Sequence, residues 1–71
     1  MIWYVHYFSG TAFGVGSVSS LPLAVNEACV LLDKGMDVIK IANSRGLEGM
    51  NAEEIRRVCV ERKAKKEMAL H

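Results

Sequence analysis

The sequence predicts a small α+β domain with the element order ββαβα. Three observations lead to this fold class: a charge-free first third rich in β-formers, a helix-forming stretch after Ser20, and a long charged helix in the last third. We expect residues 1–71 to form a single compact domain. Its three-stranded mixed sheet should have the strand order 2-1-3 and carry two helices on one face.

The length of the chain limits how much stability one core can supply. A folded monomer of 71 residues and 7.8 kDa exposes roughly 4,400 Å² and buries about 60% of its unfolded surface. Such domains usually need a disulfide, a metal or self-association as well. Apolar residues nevertheless make up 51% of the chain, which is rich for so small a domain. We therefore expect a homo-oligomer, with a dimer favoured.

The first third of the chain contains no Asp, Glu, Lys or Arg, since the first charged residue is Glu27. A secretion signal needs a positively charged start and an unbroken apolar core, and a membrane helix needs about 20 consecutive apolar residues. His6, the turn residues after it and several glycines interrupt this stretch. We interpret it as a β-hairpin and expect no membrane insertion.

Residues 2–8 form the predicted strand β1, because they are mainly aromatic and β-branched. Ser9 and Gly10 form a predicted two-residue turn, and residues 11–18 return as β2. Small residues then lie opposite large ones on one face. The expected pairs are Phe8–Thr11, His6–Phe13 and Tyr4–Val15 on one face, and Tyr7–Ala12, Val5–Gly14 and Trp3–Gly16 on the other.

The first helix, α1, is predicted to begin after Ser20 and to end before Gly35. Ser20 is a favourable N-cap, Pro22 is tolerated in the first turn, and Gly35 occupies the position after the C-cap. The apolar stripe with helical spacing comprises Leu21, Ala24, Val25, Ala28, Leu31 and Leu32.

Residues 36–41 read as strand β3, with Ile39 and Ile41 on the same face. Residues 43–46 have the composition of a turn. Asn51 and Glu54 then form a capping-box pattern, with Met50 and Ile55 as its hydrophobic staple. This pattern predicts that helix α2 covers residues 52–68.

The topology leaves one face of the sheet without helices. A right-handed crossover through α1 makes β3 parallel to β2 and places β1 between them. Neither face of the hairpin is polar, the β2 edge has no Lys or Pro, and α2 has a second apolar side. The predicted oligomer interface therefore comprises Tyr4, His6, Phe8, Phe13 and Val15 from the sheet and Val60, Ala64 and Met68 from α2.

Helix α2 also carries six of the nine basic residues of the chain. Two of its four glutamates form favourable i,i+4 pairs, Glu53 with Arg57 and Glu61 with Lys65, which favours a solvated helix. The alternative is nucleic-acid binding along this helix, which would use Arg56, Arg62, Lys63 and Lys66. Because the whole chain has a net charge of only +1, we rank this alternative second.

Residue types that carry chemistry are sparse. Cys29 and Cys59 are thirty residues apart, without a C-x-x-C motif, and we interpret both as free, buried cysteines of a cytoplasmic protein. A single internal histidine, His6, makes no metal site. The glycine-bearing segment 14–19 lacks the third glycine of a phosphate-binding loop. We predict no cofactor, no metal and no catalytic residue.

An anion site and a shared active site are two further alternatives. Asn43, Ser44 and Arg45 precede the N-terminus of α2, where backbone N–H groups receive anions, but three nearby glutamates would repel one. An enzyme subunit with a site between protomers would draw on His6, Arg45 or a cysteine, without a nucleophile–base pair to assign. The sequence therefore favours a small homo-oligomeric structural or protein-interaction module.

Overall fold

The computed structural model describes residues 1–69, without the side chains of Glu48 and of residues 67–69. A ββα unit is followed by a second ββα unit. The elements are β1 (Trp3–Ser9), β2 (Ala12–Val18), α1 (Leu21–Asp33), β3 (Asp37–Asn43), β4 (Glu48–Asn51) and α2 (Ala52–Ala69). The strand order is β2-β1-β3-β4, and every bonded pair is antiparallel. The α+β class and the order 2-1-3 are confirmed, whereas a three-stranded mixed sheet is wrong.

The fourth strand exists because the predicted turn after β3 closes a hairpin. The buried side chain of Asn43 accepts hydrogen bonds from the backbone N–H groups of Arg45 at 2.9 Å and Leu47 at 3.0 Å. Gly46 supplies the left-handed conformation, with a φ of 81°. The chain reverses and the four residues of β4 pair with β3. Gly49 lies inside β4 and does not end the pairing.

The register of the first hairpin differs from the predicted one by two residues. Gly10 and Thr11 form the turn, and Gly10 has a φ of 64°. Phe8 therefore pairs with Phe13, and Tyr7 pairs with Gly14. A shift by an even number leaves each side chain on its predicted face, so the faces are right although the pairs are wrong.

A β-bulge interrupts the pairing of β1 with β3. His6 pairs with Lys40, whereas Tyr7 pairs with Val38, which leaves Ile39 as the extra residue. The bulge turns Ile41 into the core and leaves Ile39 only half-buried. The prediction that both isoleucines share a face is therefore wrong.

Both helices begin, and α1 also ends, with the predicted capping residues. The Ser20 hydroxyl accepts from the Leu23 N–H at 3.4 Å. Gly35, with a φ of 83°, donates to the Leu32 carbonyl at 3.0 Å, and Met36 donates to the Leu31 carbonyl at 3.0 Å. These two bonds form a Schellman motif, which fixes where the chain leaves α1 for β3.

The capping box of α2 is formed in both directions. The Asn51 side chain accepts from the Glu54 N–H at 2.9 Å, and the Glu54 carboxylate accepts from the Asn51 N–H at 3.5 Å. Ile55 in the next turn is completely buried, with Met50 packed against the same core. The predicted start of α2 is therefore confirmed.

The core lies between the two helices and one face of the sheet. Its largest fully buried side chains are Val5, Val38, Ile41 and Ile55. Burying a side chain of this kind stabilises the fold by about 1.5–3 kcal/mol. Helix α1 contributes small residues, Ala24 and Ala28, both fully buried, which lets it lie close to the strands.

Cys29 of α1 and Cys59 of α2 form a disulfide bond, with their Cα atoms 5.4 Å apart. The prediction of two free cysteines is wrong. Each cysteine borders the core-facing side of its helix, and the helices run side by side on one face of the sheet. This arrangement makes neighbours of residues that are 30 positions apart in sequence.

Candidate functional site

The open face of the sheet carries all five of the predicted interface residues from the hairpin. Val5 is fully buried on the helix side, so its neighbours along β1 point to the other side. Phe13 and Val15 of β2 are 56% and 46% exposed. The predicted residues on this face are Tyr4, His6, Phe8, Phe13 and Val15.

Three of these side chains form an aromatic cluster. The ring centroids of Phe8 and Phe13 are 5.4 Å apart, with an interplanar angle of 66°. The His6 ring lies 6.0 Å from Phe13. Such edge-to-face pairs stabilise the orientation of each ring. The cluster therefore presents an ordered apolar surface before any partner binds.

The half of this face formed by β3 is more polar. Lys40 lies directly opposite His6, and Asp37 lies opposite Phe8. Burial lowers the pKa of His6 below 6.5, and the positive charge of Lys40 lowers it further. The imidazole at the centre of the face is therefore neutral at pH 7, and the apolar half carries no charge.

The edge of β2 continues the open face at its margin. Within the described residues, β2 pairs with β1 alone. Lys, Pro or another charged residue on an edge strand usually prevents strands of two molecules from pairing. The edge strand Ala12–Val18 has none of these residues. The surface available to a partner therefore includes this edge.

The second half of α2 leaves the core. Val60 is 67% exposed, and Ala64 is exposed too. The side chain of Met68 lies outside the described residues. Arg62 donates a hydrogen bond to the side-chain oxygen of Asn26 on α1. The basic residues named for nucleic-acid binding, Arg56, Arg62, Lys63 and Lys66, are all exposed along this helix.

A groove between α1 and α2 was missed at the level of sequence, because it depends on how the helices pack. Its volume is about 280 Å³. The residues that line it are Leu32, Asp33, Arg56, Cys59, Val60 and Lys63. These described lining residues bring one disulfide cysteine, two cations and one carboxylate together on the helical side of the molecule.

Asn43, Ser44 and Arg45 lie at the turn between β3 and β4, so strand β4 separates them from the N-terminus of α2. Asn43 is 7% exposed, and its side-chain oxygen is occupied by the hydrogen bonds to Arg45 and Leu47. Glu53 pairs with Arg57 at 3.6 Å, one turn into α2. Asn43 therefore stabilises the connection between β3 and β4. This agrees with the prediction of a turn at residues 43–46.

Comparison with known proteins finds no family model that matches the chain, no similar curated protein and no similar solved structure. In the part of the chain that the structure describes, no helix is long and apolar enough to cross a membrane. His, Cys, Asp and Glu side chains do not gather there into a group of three that could hold a metal ion.

Proposed function

We propose that this protein is a small self-associating module that packs its open sheet face against a second copy of itself. The observation that carries the proposal is the ordered aromatic cluster of His6, Phe8 and Phe13 on an exposed sheet face. Contiguous apolar surface of this kind normally marks an interaction site in a water-soluble domain.

The amount of exposed surface supports a partner. The chain exposes 4940 Å², whereas a compact monomer of its mass exposes roughly 4,400 Å². Covering the sheet face would remove several exposed apolar side chains from water, which is the main driving force of association.

The dimensions of the face suit a small symmetric dimer. Three strands have seven residues and β4 has four. At about 4.8 Å between strands and about 3.3 Å per residue, the face spans at most about 20 by 23 Å. Side chains make this face uneven, so its solvent-accessible area is larger than the flat area and approaches the ~800 Å² per partner of a standard interface. The adjoining β2 edge, Ala12–Val18, extends the contact surface.

The charges on the face are compatible with a second copy. Among the residues with described side chains, Lys40 and Asp37 supply one cation and one anion on its polar half. In a two-fold dimer both copies present the same patch, so each cation finds an anion available across the interface. A highly charged partner would meet no complementary net charge on this face.

A charge placed in the aromatic cluster tests this proposal. We expect native protein to show twice the 7.8 kDa chain mass by light scattering, and Phe13→Glu to return to the monomer mass. Leu23→Glu is the matched control, because Leu23 is 47% exposed on the outer side of α1 and should leave the dimer unchanged. A native monomer at all concentrations, or a Phe13→Glu dimer, would exclude the open face.

Nucleic-acid binding along α2 is the second candidate. Residues 61–66 are exposed and include Arg62, Lys63, Lys65 and Lys66 against one glutamate, Glu61, which makes a net charge of +3. Binding through this segment should weaken steeply with salt and disappear in a variant that combines Arg62→Glu with Lys66→Glu. Binding that does not respond to salt, or no binding to single- or double-stranded oligonucleotides, would remove this candidate.

The disulfide bears on where the protein works. The expected cytoplasmic location rested partly on free cysteines, and disulfides persist chiefly in oxidising compartments. The bond between Cys29 and Cys59 therefore favours an oxidising environment over the cytoplasm. Alkylation of the protein in intact cells, followed by mass measurement, tests this: free thiols in cells would restore the cytoplasmic location.

A further inference from the structure

Of the two disulfide cysteines, the groove lining includes Cys59. Cys59 lines the groove, while α1 contributes Leu32 and Asp33 to the lining in place of Cys29. Both cysteines are half-buried. A molecule in the groove therefore lies beside Cys59 rather than beside Cys29.

Two cations flank that sulfur on the same helix. Arg56 lies three residues before Cys59 and Lys63 lies four residues after it, so all three share one face of α2. Both cations line the groove and are exposed. Among the described lining residues Asp33 is the one carboxylate, so these residues together carry a net positive charge.

We propose that the Cys29–Cys59 disulfide is a thiol-exchange site whose co-reactant is a small anionic thiol bound in this groove. The cations would raise the local concentration of a thiolate that carries carboxylates. The volume of about 280 Å³ is at the lower end for small-molecule sites. It accommodates a small thiol.

The exchange consumes two thiols for each disulfide. A thiolate attacks Sγ of Cys59, the S–S bond breaks, and its electron pair leaves with Sγ of Cys29, which takes a proton from water. Cys59 is now in a mixed disulfide. A second thiolate attacks the sulfur of the bound thiol, which releases a symmetric disulfide and leaves Cys59 as a thiolate. Two thiols are oxidised and the protein gains two electrons.

The exchange changes how α2 is held. The covalent link to α1 is lost, while the contacts of Ile55 and Val58 with the core and the Arg62–Asn26 hydrogen bond remain. The site is on the helical side of the molecule, opposite the sheet face proposed for self-association. Exchange and dimerisation can therefore be tested separately, and a negative result for one does not contradict the other.

The experiment compares the reduction of native protein by glutathione, 2-mercaptoethanol and cysteamine, which are anionic, neutral and cationic thiols. Rates are measured at equal thiolate concentration by alkylation and mass spectrometry. We expect glutathione to react several-fold faster than the neutral thiol, and cysteamine to react more slowly. The mixed disulfide trapped first should map to Cys59.

Two charge-matched variants locate the effect. Arg56→Gln with Lys63→Gln removes both groove cations and should abolish the preference for glutathione. Arg57→Gln with Lys65→Gln removes two exposed charges from other sides of α2 and should retain it. Equal rates for the three thiols would overturn the proposal. So would the same loss in both variants, a mixed disulfide on Cys29, or a rate limited by global unfolding.

Discussion

The ring of Tyr7 on β1 covers the backbone of Gly14, its cross-strand partner on β2. A Cβ atom placed on Gly14 would lie 2.5 Å from Cζ of Tyr7. Two residues later, a Cβ on Gly16 would meet only Cγ of Glu27, at 3.9 Å. Neither glycine has a positive φ. Neither glycine of this strand is therefore required by its backbone conformation, and the two differ only in the atoms that a Cβ would contact.

We expect Gly14→Ala to destabilise the fold by about 1–3 kcal/mol, because the Tyr7 ring must leave its position to admit a methyl group. Gly16→Ala is the matched control and should change stability by less than ~0.5 kcal/mol. Urea unfolding of both variants measures the difference. Equal free energies of unfolding would show that Tyr7 moves aside without loss.

Part of this close approach was predictable from the sequence. The alternation of large residues in β1 with glycines in β2 placed small residues opposite large ones on the face that now packs on the helices. The pairs themselves were two residues off, because the turn uses Gly10 and Thr11. Side-chain period in a strand is two, so the faces, and with them the location of the aromatic cluster, survived that error.

Other features depend on tertiary contacts that no local pattern encodes. The bulge at Ile39 changes which β3 residues face the core, and β4 is only four residues long. The disulfide requires the relative position of two helices, although the place of Cys29 and Cys59 beside the core stripes was a usable signal. The groove follows from the same packing, and for the same reason it was missed.

Asn43 organises the β3–β4 hairpin from a buried position, so its side chain should matter more than an exposed turn residue would. Asn43→Ala leaves the N–H groups of Arg45 and Leu47 without their acceptor and should destabilise the fold by about 1–3 kcal/mol. Asn43→Asp retains an acceptor oxygen and should lose less at pH 7. Thermal unfolding ranks the two variants; the reverse order would show that the amide N–H₂ group matters more than the oxygen.

His6 should make the folded state less stable in mild acid. Burial, and then Lys40, hold its pKa below 6.5, so above pH 6.5 the imidazole is neutral in both folded and unfolded chains. As the pH falls below 6.5, the unfolded chain binds a proton that the folded chain does not yet bind. The free energy of unfolding therefore falls until the pH reaches the folded pKa of His6.

Lys40→Gln separates the two causes of this shift. Removing the charge should raise the pKa of His6, while burial still keeps it below the ordinary value. An NMR titration of the His6 ring in a His71→Gln background measures the change, with Lys34→Gln, an exposed lysine after α1, as the control. If the pKa of His6 is the same in Lys40→Gln as in the native protein, burial is the whole cause of the lowered pKa.

The disulfide should supply a large share of the stability of this chain. Closing a loop between residues 30 positions apart stabilises the fold by about 3–4 kcal/mol through the lost entropy of the unfolded chain. A domain of 71 residues has a total stability of only about 4–10 kcal/mol. We therefore expect Cys29→Ala with Cys59→Ala to lower the urea midpoint sharply. Native protein reduced with dithiothreitol should unfold at nearly the same midpoint, since both lack the cross-link; a variant as stable as the oxidised protein would show that the bond contributes nothing to the fold.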